Sequence, residues 1–222
     1  MMALSVKRAT LWSVLVGAAW LTIYSLGRTW GSTLEERTRY LPGDDLIPDP
    51  RLTTNHATTI KATPEEIWPW LVQLGWHRGG WYTYRWVDRL LFPANRASAE
   101  SILPQWQDLH VGDRIPDGPP QTDCFFVVEL LEANKMLVLR SWTHLPPQLR
   151  AKNSRYQMEW SWAFYLTDLG GGETRFLFKV RGLLGPRWLR VAYHAFVVPA
   201  DFVMGRSLCL GLRTRAEHNY ER

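Results

Sequence analysis

The residues best suited to contact a ligand are concentrated in one short stretch, residues 74–86, with the sequence LGWHRGGWYTYRW. An aromatic ring offers a large apolar face, and tyrosine and tryptophan add one polar atom each. Such a set can wall an apolar ligand site, and a tyrosine or carboxylate within it could serve as a general acid or base. The rings could equally well close one end of the core. The candidate ligand-binding residues in and just after this stretch are Trp81, Tyr82, Tyr84, Trp86 and Asp88.

A second aromatic set follows the alternation of a β-strand. Every other residue of 158–166 is large and apolar, which predicts a strand with one aromatic face. Gly170-Gly171-Gly172 then predicts a hairpin turn, and the returning strand carries another phenylalanine on the same face. These rings could fill a cavity completely or line it. The candidate ligand-binding residues here are Trp160, Trp162, Phe164 and Phe178.

Arg140 alternates in phase with Val138 and Trp142, which predicts that its side chain points into the core. A buried guanidinium needs a carboxylate, a phosphate or several carbonyl groups as partners. Arg140 and Trp142 are therefore candidates to meet the polar head of an amphipathic ligand. The alternative is that Arg140 lies in solvent or pairs with an acid such as Asp88 or Glu100.

Several classes of function have no support in the sequence. The six histidines are scattered, and there is no nucleophile-elbow motif for hydrolysis. The two cysteines, Cys124 and Cys209, form no C-x-x-C pair and have no histidine at ligand spacing, so neither a metal nor a cofactor is predicted. The net charge is +5, but the basic residues are dispersed and form no nucleic-acid-binding helix.

The N-terminus carries an uncharged run, residues 9–26, preceded by Lys7 and Arg8. Its length and its flanking tryptophans favour an uncleaved single-pass membrane anchor over residues 1–28, slightly favouring export of the main domain. A cleaved signal peptide or an interfacial helix would explain the same run. Residues 29–52 are rich in proline and aspartate, which predicts an extended linker.

Periodicity predicts a sheet bracketed by helices in the rest of the chain. Strands are expected at 54–62, 124–132, 136–143, 158–166 and 174–182, and helices at 63–74, 84–92, 97–103 and 187–218. Pro199 is expected to interrupt the last helix. This order predicts an α+β fold, a curved antiparallel sheet wrapped around a long C-terminal helix with a cavity between the two layers.

Residues 53–222 are expected to form the folded domain, and residues 53–218 of it resemble the START-like (SRPBCC, polyketide-cyclase and lipid-transfer) superfamily. The resemblance starts at Thr63-Pro64-Glu65-Glu66 after a strand, and narrows to a bacterial subgroup with Q-x-G-x-x-R-G-G-W-Y, seen here from Gln73 to Tyr82. It implies a helix-grip fold built around a cavity and carries no catalytic motif. The subgroup often has an acidic residue where this chain has Arg85, so a carboxylate role at that position is not carried over.

Three functions follow as hypotheses. The first is a membrane-tethered domain that binds a hydrophobic or amphipathic small molecule, a lipid or a polyketide-like compound. The second is a cyclase or dehydratase on the same scaffold, which requires at least two mutually bonded polar side chains inside the cavity. The third is a non-catalytic membrane or protein interaction domain, which requires the rings of 76–86 to be exposed as one patch. The oligomeric state is left open.

Overall fold

The computed structural model describes residues 2–91, 94–150 and 155–219. Six strands and six α-helices organise these residues. The helices are α1 (Met2–Thr29), α2 (Leu34–Thr38), α3 (Pro64–Val72), α4 (Arg85–Leu91), α5 (Arg187–Ala192) and α6 (Val198–Asn219). The strands are β1 (Leu52–Ile60), β2 (Arg114–Pro116), β3 (Phe125–Glu132), β4 (Met136–Ser141), β5 (Gln157–Gly170) and β6 (Glu173–Gly185).

The strands form one antiparallel sheet in the order β1-β6-β5-β4-β3-β2. β5 and β6 are joined by the glycine turn and pair along nearly their whole lengths. The long helix α6 packs on the inner face of this sheet and buries Leu208, Cys209 and Leu212 there. The α+β helix-grip prediction is therefore confirmed. The edge strand β2 was not predicted, because three residues are too few to establish a period of two.

The inner face of the sheet is packed tightly at one end. Phe164 stacks on Phe176 and Phe178, with ring centroids 6.2 and 4.8 Å away, and all three rings are buried. Helix α3 covers the same end with Ile67 and Leu71. This end of the sandwich is a filled core, so any ligand space must lie toward the other end.

Helix α3 begins as its sequence predicts. The Glu66 carboxylate accepts a hydrogen bond from the Thr63 backbone N–H at 2.7 Å, which is one half of a capping box. Pro69 lies inside the helix without ending it. The helix ends at Val72, and the following turn uses Gly75 at φ +126°, a conformation that suits glycine.

The helix predicted at 97–103 does not exist. These residues run as an irregular segment whose polar groups are committed to other elements. The Ala99 N–H donates to the Gly79 carbonyl at 2.9 Å, and the Ser98 hydroxyl accepts from the Tyr82 N–H at 3.1 Å. Arg215 of α6 donates to the Ala99 carbonyl at 2.6 Å. Long-range hydrogen bonds thus replace the local ones that a helix would need.

The C-terminal helical run is interrupted where its proline predicts. Residues Tyr193–Val197 form a π-helical turn between α5 and α6, and Pro199 follows it. Proline has no N–H to donate to the carbonyl four residues earlier, which belongs to Ala195. That carbonyl instead accepts a hydrogen bond from the Trp20 indole of α1 at 3.2 Å. The interruption therefore creates a docking point for the N-terminal helix.

The segment predicted to be an extended linker, 29–52, is folded onto the outer face of the sheet. It contains helix α2 and a short 3₁₀ turn, Asp44–Leu46. Asp44 is buried and accepts a 2.6 Å hydrogen bond from Lys179 of β6. A proline-rich composition predicts extension, but this buried ion pair holds the segment down. The boundaries proposed at residues 28 and 52 stay a prediction.

Helix α1 differs from a free membrane anchor. Its last third packs against the π turn and α6, with the Tyr24 hydroxyl 2.7 Å from His194 Nδ1. Its residues 11–21 are exposed. By length and composition, one helical run among the described residues could cross a membrane, and that run is Arg187–His218, the one that the sheet wraps. The spanning helix predicted at 9–26 is therefore not supported.

Candidate ligand-binding cavity

A cavity of about 330 Å³ lies between the open end of the sheet and the start of α6. Its size is at the lower end of the range for small-molecule sites. Strands β1, β5 and β6 form one wall, the π turn and α6 form the other, and the loops before α4 and around β2 and β4 close the end. The lining includes Leu52, Thr54, Trp81, Thr83, Asp117, His144, Trp160, Trp162, Phe178, Val180, Tyr193, Val197, Val198, Asp201, Met204, Gly205 and Leu208.

The wall of the cavity is mainly aromatic. The Trp162 ring lies at its centre, with ring centroids 5.1 Å from Trp81 and 5.4 Å from Phe178, both in edge-to-face geometry. Trp160 faces Tyr193 across the gap at 5.2 Å. These positions follow from the alternation of β5, which places Trp160 and Trp162 on the inner face. Rigid rings of this kind offer apolar contact with little loss of conformational entropy.

One end of the cavity carries a bonded pair of polar side chains. His144 Nε2 lies 2.8 Å from the Asp117 carboxylate, and its Nδ1 lies 2.9 Å from the Ser141 hydroxyl. Burial opposes the charged imidazole, but the hydrogen bonds to Asp117 and Cys124 outweigh it and raise the pKa of His144 to about 9. At neutral pH the pair is therefore an ion pair, an imidazolium beside a carboxylate.

A second carboxyl group lines the opposite side. Asp201, in the first turn of α6, lies near Thr54 and His56 of β1. Burial raises the pKa of Asp201, and the neighbouring His56 and Thr54 offset this only in part. The Trp81 indole N–H is buried at the cavity wall with no hydrogen-bond partner among the described residues. The mainly apolar lining of the cavity thus includes polar groups, the Trp81 indole N–H and the Asp201 carboxyl group, that a ligand could contact.

Three donor groups lie close enough to surround a metal ion. One ligand atom each from Asp117, Cys124 and His144 falls within 4.8 Å of the others. Spacing along the chain could not indicate this trio, because the turn between β2 and β3 and the end of β4 bring it together. The ligand atoms of Asp117 and His144 are hydrogen-bonded to each other.

Four of the residues predicted to bind a ligand line the cavity. They are Trp81, Trp160, Trp162 and Phe178. Two others are core residues. Phe164 is enclosed by its neighbouring phenylalanines, and the Tyr82 hydroxyl donates to the Trp70 carbonyl at 2.7 Å behind the cavity wall. Tyr82 also has a positive φ of 56°, so the regular alternation expected for 81–86 breaks there.

The remaining predicted residues of 84–88 lie outside the cavity. The Tyr84 hydroxyl accepts a hydrogen bond from Arg206 at 2.8 Å. Trp86 is 58% exposed on the surface of α4. Asp88 accepts a hydrogen bond from the Thr83 hydroxyl, and burial raises its pKa. Thr83 itself lines the cavity, so Asp88 is one residue removed from it.

The inward orientation predicted for Arg140 is wrong. Leu137 and Leu139 occupy the inner face of β4, whereas Val138 belongs to a cluster on the outer face, so Arg140 in phase with it also points outward. There it forms an ion pair with Glu159 of the adjacent strand. Trp142, beyond the end of β4, is 48% exposed. Neither residue lines the cavity.

Sequence reasoning missed the polar residues of the cavity. Asp117 and His144 are 27 residues apart in loops, and no local pattern connects them. Asp201 carried a usable signal, because Asp201, Gly205 and Leu208 recur at the spacing of one helix face. A carboxylate on an apolar helix face indicates a functional position or a buried partner.

Comparison with known proteins finds distant structural similarity and no family. No family model and no curated protein matches the chain. Among solved structures, a hypothetical protein of Helicobacter pylori is similar at 14% identity and a TM-score of 0.49, over 80% of this chain and 95% of that one. A Mesorhizobium loti protein aligns at 15% identity and a TM-score of 0.43, over 75% and 98% of the two chains.

The Aha1 dimer of Colwellia psychrerythraea aligns at 16% identity and a TM-score of 0.40, over 75% of this chain and 96% of that one. Identities this low concern the fold alone. The helix-grip architecture, which the START-like resemblance implied, is shown by the chain's own antiparallel sheet and long C-terminal helix. What it binds must be argued from its own cavity.

Proposed function

We propose that this protein binds a hydrophobic or amphipathic small molecule in the cavity between the sheet and α6. The observation that carries the proposal is the cavity itself, about 330 Å³ of space walled by Trp81, Trp162 and Phe178. Packed cores rarely leave a void larger than a water molecule, so a space of this size within aromatic walls is typical of a binding site.

The test is whether the purified full-length chain retains an apolar ligand. We expect native mass spectrometry or solvent extraction to detect one, and the Leu208→Trp variant to lose it because the added ring fills the cavity. The control is Leu210→Trp, which makes the same change on the same helix at a residue that does not line the cavity. Equal retention by both variants would contradict the proposal.

Membrane contact forms the second part of the proposal. Leu11, Trp12 and Val16 of α1 are 58%, 67% and 66% exposed, and Phe196 of the adjoining π turn is 76% exposed. Its neighbour Val197 is 40% exposed and also lines the cavity. Apolar surface of this kind favours a lipid interface, and lipid contact there would place the cavity beside a source of apolar ligands.

Vesicle flotation of the full-length chain tests this part. We expect the protein to float with neutral phosphatidylcholine vesicles, and Val16→Asp to reduce the floated fraction severalfold. Val111→Asp is the matched control, since Val111 is 62% exposed and precedes β2, at the opposite edge of the sheet from the strand β1 that α1 contacts. If the control reduced flotation as much as Val16→Asp, the role of α1 would be ruled out.

A cyclase or dehydratase is the second candidate, and one observation favours it. Such an enzyme needs two mutually bonded polar side chains at its cavity, and the Asp117–His144 pair meets that requirement. The neutral form of His144, which dominates only above about pH 9, would accept a proton as general base while Asp117 orients its ring. A retained carbonyl ligand should then exchange its acidic C–H protons with D₂O. We expect His144→Gln to stop that exchange without releasing the ligand.

The interaction-domain hypothesis is not supported. It required the rings of 76–86 to form an exposed patch. Trp76, Trp81 and Tyr82 are each no more than 6% exposed, and Trp86 alone of this set is largely exposed.

A further inference from the structure

The charges that face the cavity restrict the kind of ligand it can take. Among the described residues, its lining contains two carboxyl groups and one histidine, but no lysine or arginine. Asp117 and His144 neutralise each other across 2.8 Å. Asp201 remains, and no charged partner from the described part of the chain bonds to it within the cavity.

His56 does not neutralise Asp201 by direct contact. Its Nε2 lies 2.8 Å from the Gly27 carbonyl, so that nitrogen carries the proton. Its Nδ1 is buried and has no hydrogen-bond partner among the described residues, so it does not bond to the carboxyl group of Asp201. Asp201 therefore makes no ion pair with the described residues, and burial favours its neutral form until a cation binds beside it.

The aromatic rings beside Asp201 add attraction for a cation. The Trp160 and Tyr193 rings are tilted at 40° to each other, with centroids 5.2 Å apart, near this side of the cavity. Asp201 and Asp117 are both close enough to Tyr193 to add to the effect of burial in raising its pKa to about 12. The Tyr193 ring thus has two carboxyl groups in its surroundings. Ring faces attract cations, most strongly where water is excluded.

We propose that the cavity selects an amphiphile with a protonated amine as its polar head, held at Asp201 against Tyr193 and Trp160. This inference rests on the proposed binding function and specifies its ligand class. The alkyl part of the ligand lies along Trp162, Phe178 and Leu208. A carboxylate or phosphate head would lose its water without gaining a free cation, so fatty acids and phosphate esters are disfavoured. An ammonium ion provides the counter-charge that Asp201 lacks.

The test compares three probes of equal chain length on the full-length protein by isothermal titration calorimetry, below their micelle concentrations. We expect decylamine to bind roughly tenfold more tightly than decanol, since one well-placed charge contact is worth about a factor of ten. Decanoate should bind more weakly than decanol. The order in the wild-type protein is decisive by itself, because it does not depend on any variant folding.

The Asp201→Asn variant locates the selectivity. We expect it to lose the preference for decylamine while its affinity for decanol changes less than about threefold. The control is Asp88→Asn, a partly buried carboxyl group whose pKa burial also raises but which does not line the cavity. Asp88→Asn should keep the wild-type order of the three probes.

The two proposals fail in different ways. If none of the three probes binds, the binding function itself is refuted. If decanol binds and decanoate binds as tightly as decylamine or more tightly, the binding function stands and the ammonium inference is overturned. A decylamine preference that survives in Asp201→Asn would also overturn it.

Discussion

The ion pair between Lys179 and Asp44 is buried, so removing either residue leaves the other as an unpaired buried charge. Lys179 is buried on the outer face of the sheet and donates to Asp44 at 2.6 Å. Arg181 approaches the other oxygen of Asp44 at 3.5 Å. A buried ion pair adds little net stability, but leaving one of its members unpaired is costly. The packing of residues 39–47 on the sheet therefore depends on this ion pair, and substitution of either Asp44 or Lys179 should weaken it.

The Lys179→Met variant tests this dependence. We expect it to lower the free energy of unfolding by about 3 kcal/mol, because Asp44 stays buried with only the more distant Arg181 as a charged partner. The double variant Lys179→Met with Asp44→Leu removes both charges and should recover most of that loss. Urea denaturation measures both. A double variant no more stable than Lys179→Met would contradict the account.

His144 gives stability a definite dependence on pH. Its folded-state pKa of about 9 lies above the ordinary histidine value of 6.5. The ion pair with Asp117 therefore stabilises the fold fully below pH 6.5, and this contribution disappears as pH rises through 9. The loss should be on the order of 3 kcal/mol. Urea denaturation at pH 6.5 and pH 9 measures it.

The control for that measurement uses two histidine variants. His144→Gln should remove this pH-dependent part of stability. His110→Gln should preserve it, since the His110 side chain is 70% exposed beside Asp108 and Asp113. Identical pH profiles for His144→Gln and the wild-type protein would show that the pair does not act as described.

At the scale of elements, the close packing of α1 on α6 depends on a glycine. A Cβ atom placed on Gly27 would come within 2.1 Å of the Val198 carbonyl oxygen, so the two helices could not keep their spacing. Gly27→Ala should therefore release the end of α1 from α6. Hydrogen exchange should show lost protection in α1 and the π turn.

Gly17→Ala is the matched variant in the same helix. A Cβ atom placed on Gly17 would meet no other atom within 4 Å, so the change should leave the packing intact and favour the helix by up to about 1 kcal/mol. If Gly27→Ala also left the protection of α1 unchanged, the helix would not depend on this contact.

At the scale of the whole molecule, a ligand should stabilise both layers that enclose it. The cavity is lined by β1, β5 and β6 on one side and by α6 on the other. Ligand at about a hundred times its dissociation constant should add roughly 2.7 kcal/mol to the free energy of unfolding. Hydrogen exchange should show slower exchange in both β5 and α6. Protection confined to one layer would contradict a site between them.

Much of this fold is predictable from the sequence because its long strands and its gripping helix have clear periods. The aromatic alternation of β5 correctly places Trp160 and Trp162 on the cavity wall. The same reasoning gave the wrong orientation for Arg140, because alternation shows which residues share a face of a strand but not which face points into the core. Asp117 and His144 could not be paired, because their contact depends on how two loops meet in space.

The order of the strands has a consequence for biosynthesis. β1 pairs with β6, the last strand made, and Trp20 of α1 bonds to Ala195, which lies 175 residues later. While the nascent chain is still on the ribosome, β1 and α1 cannot yet contact their partners, β6 and the π turn. Contacts this distant in sequence slow folding. β1 can pair with β6 only after β6 has left the ribosome, so the last third of α1 stays without its packing partner until synthesis is nearly complete.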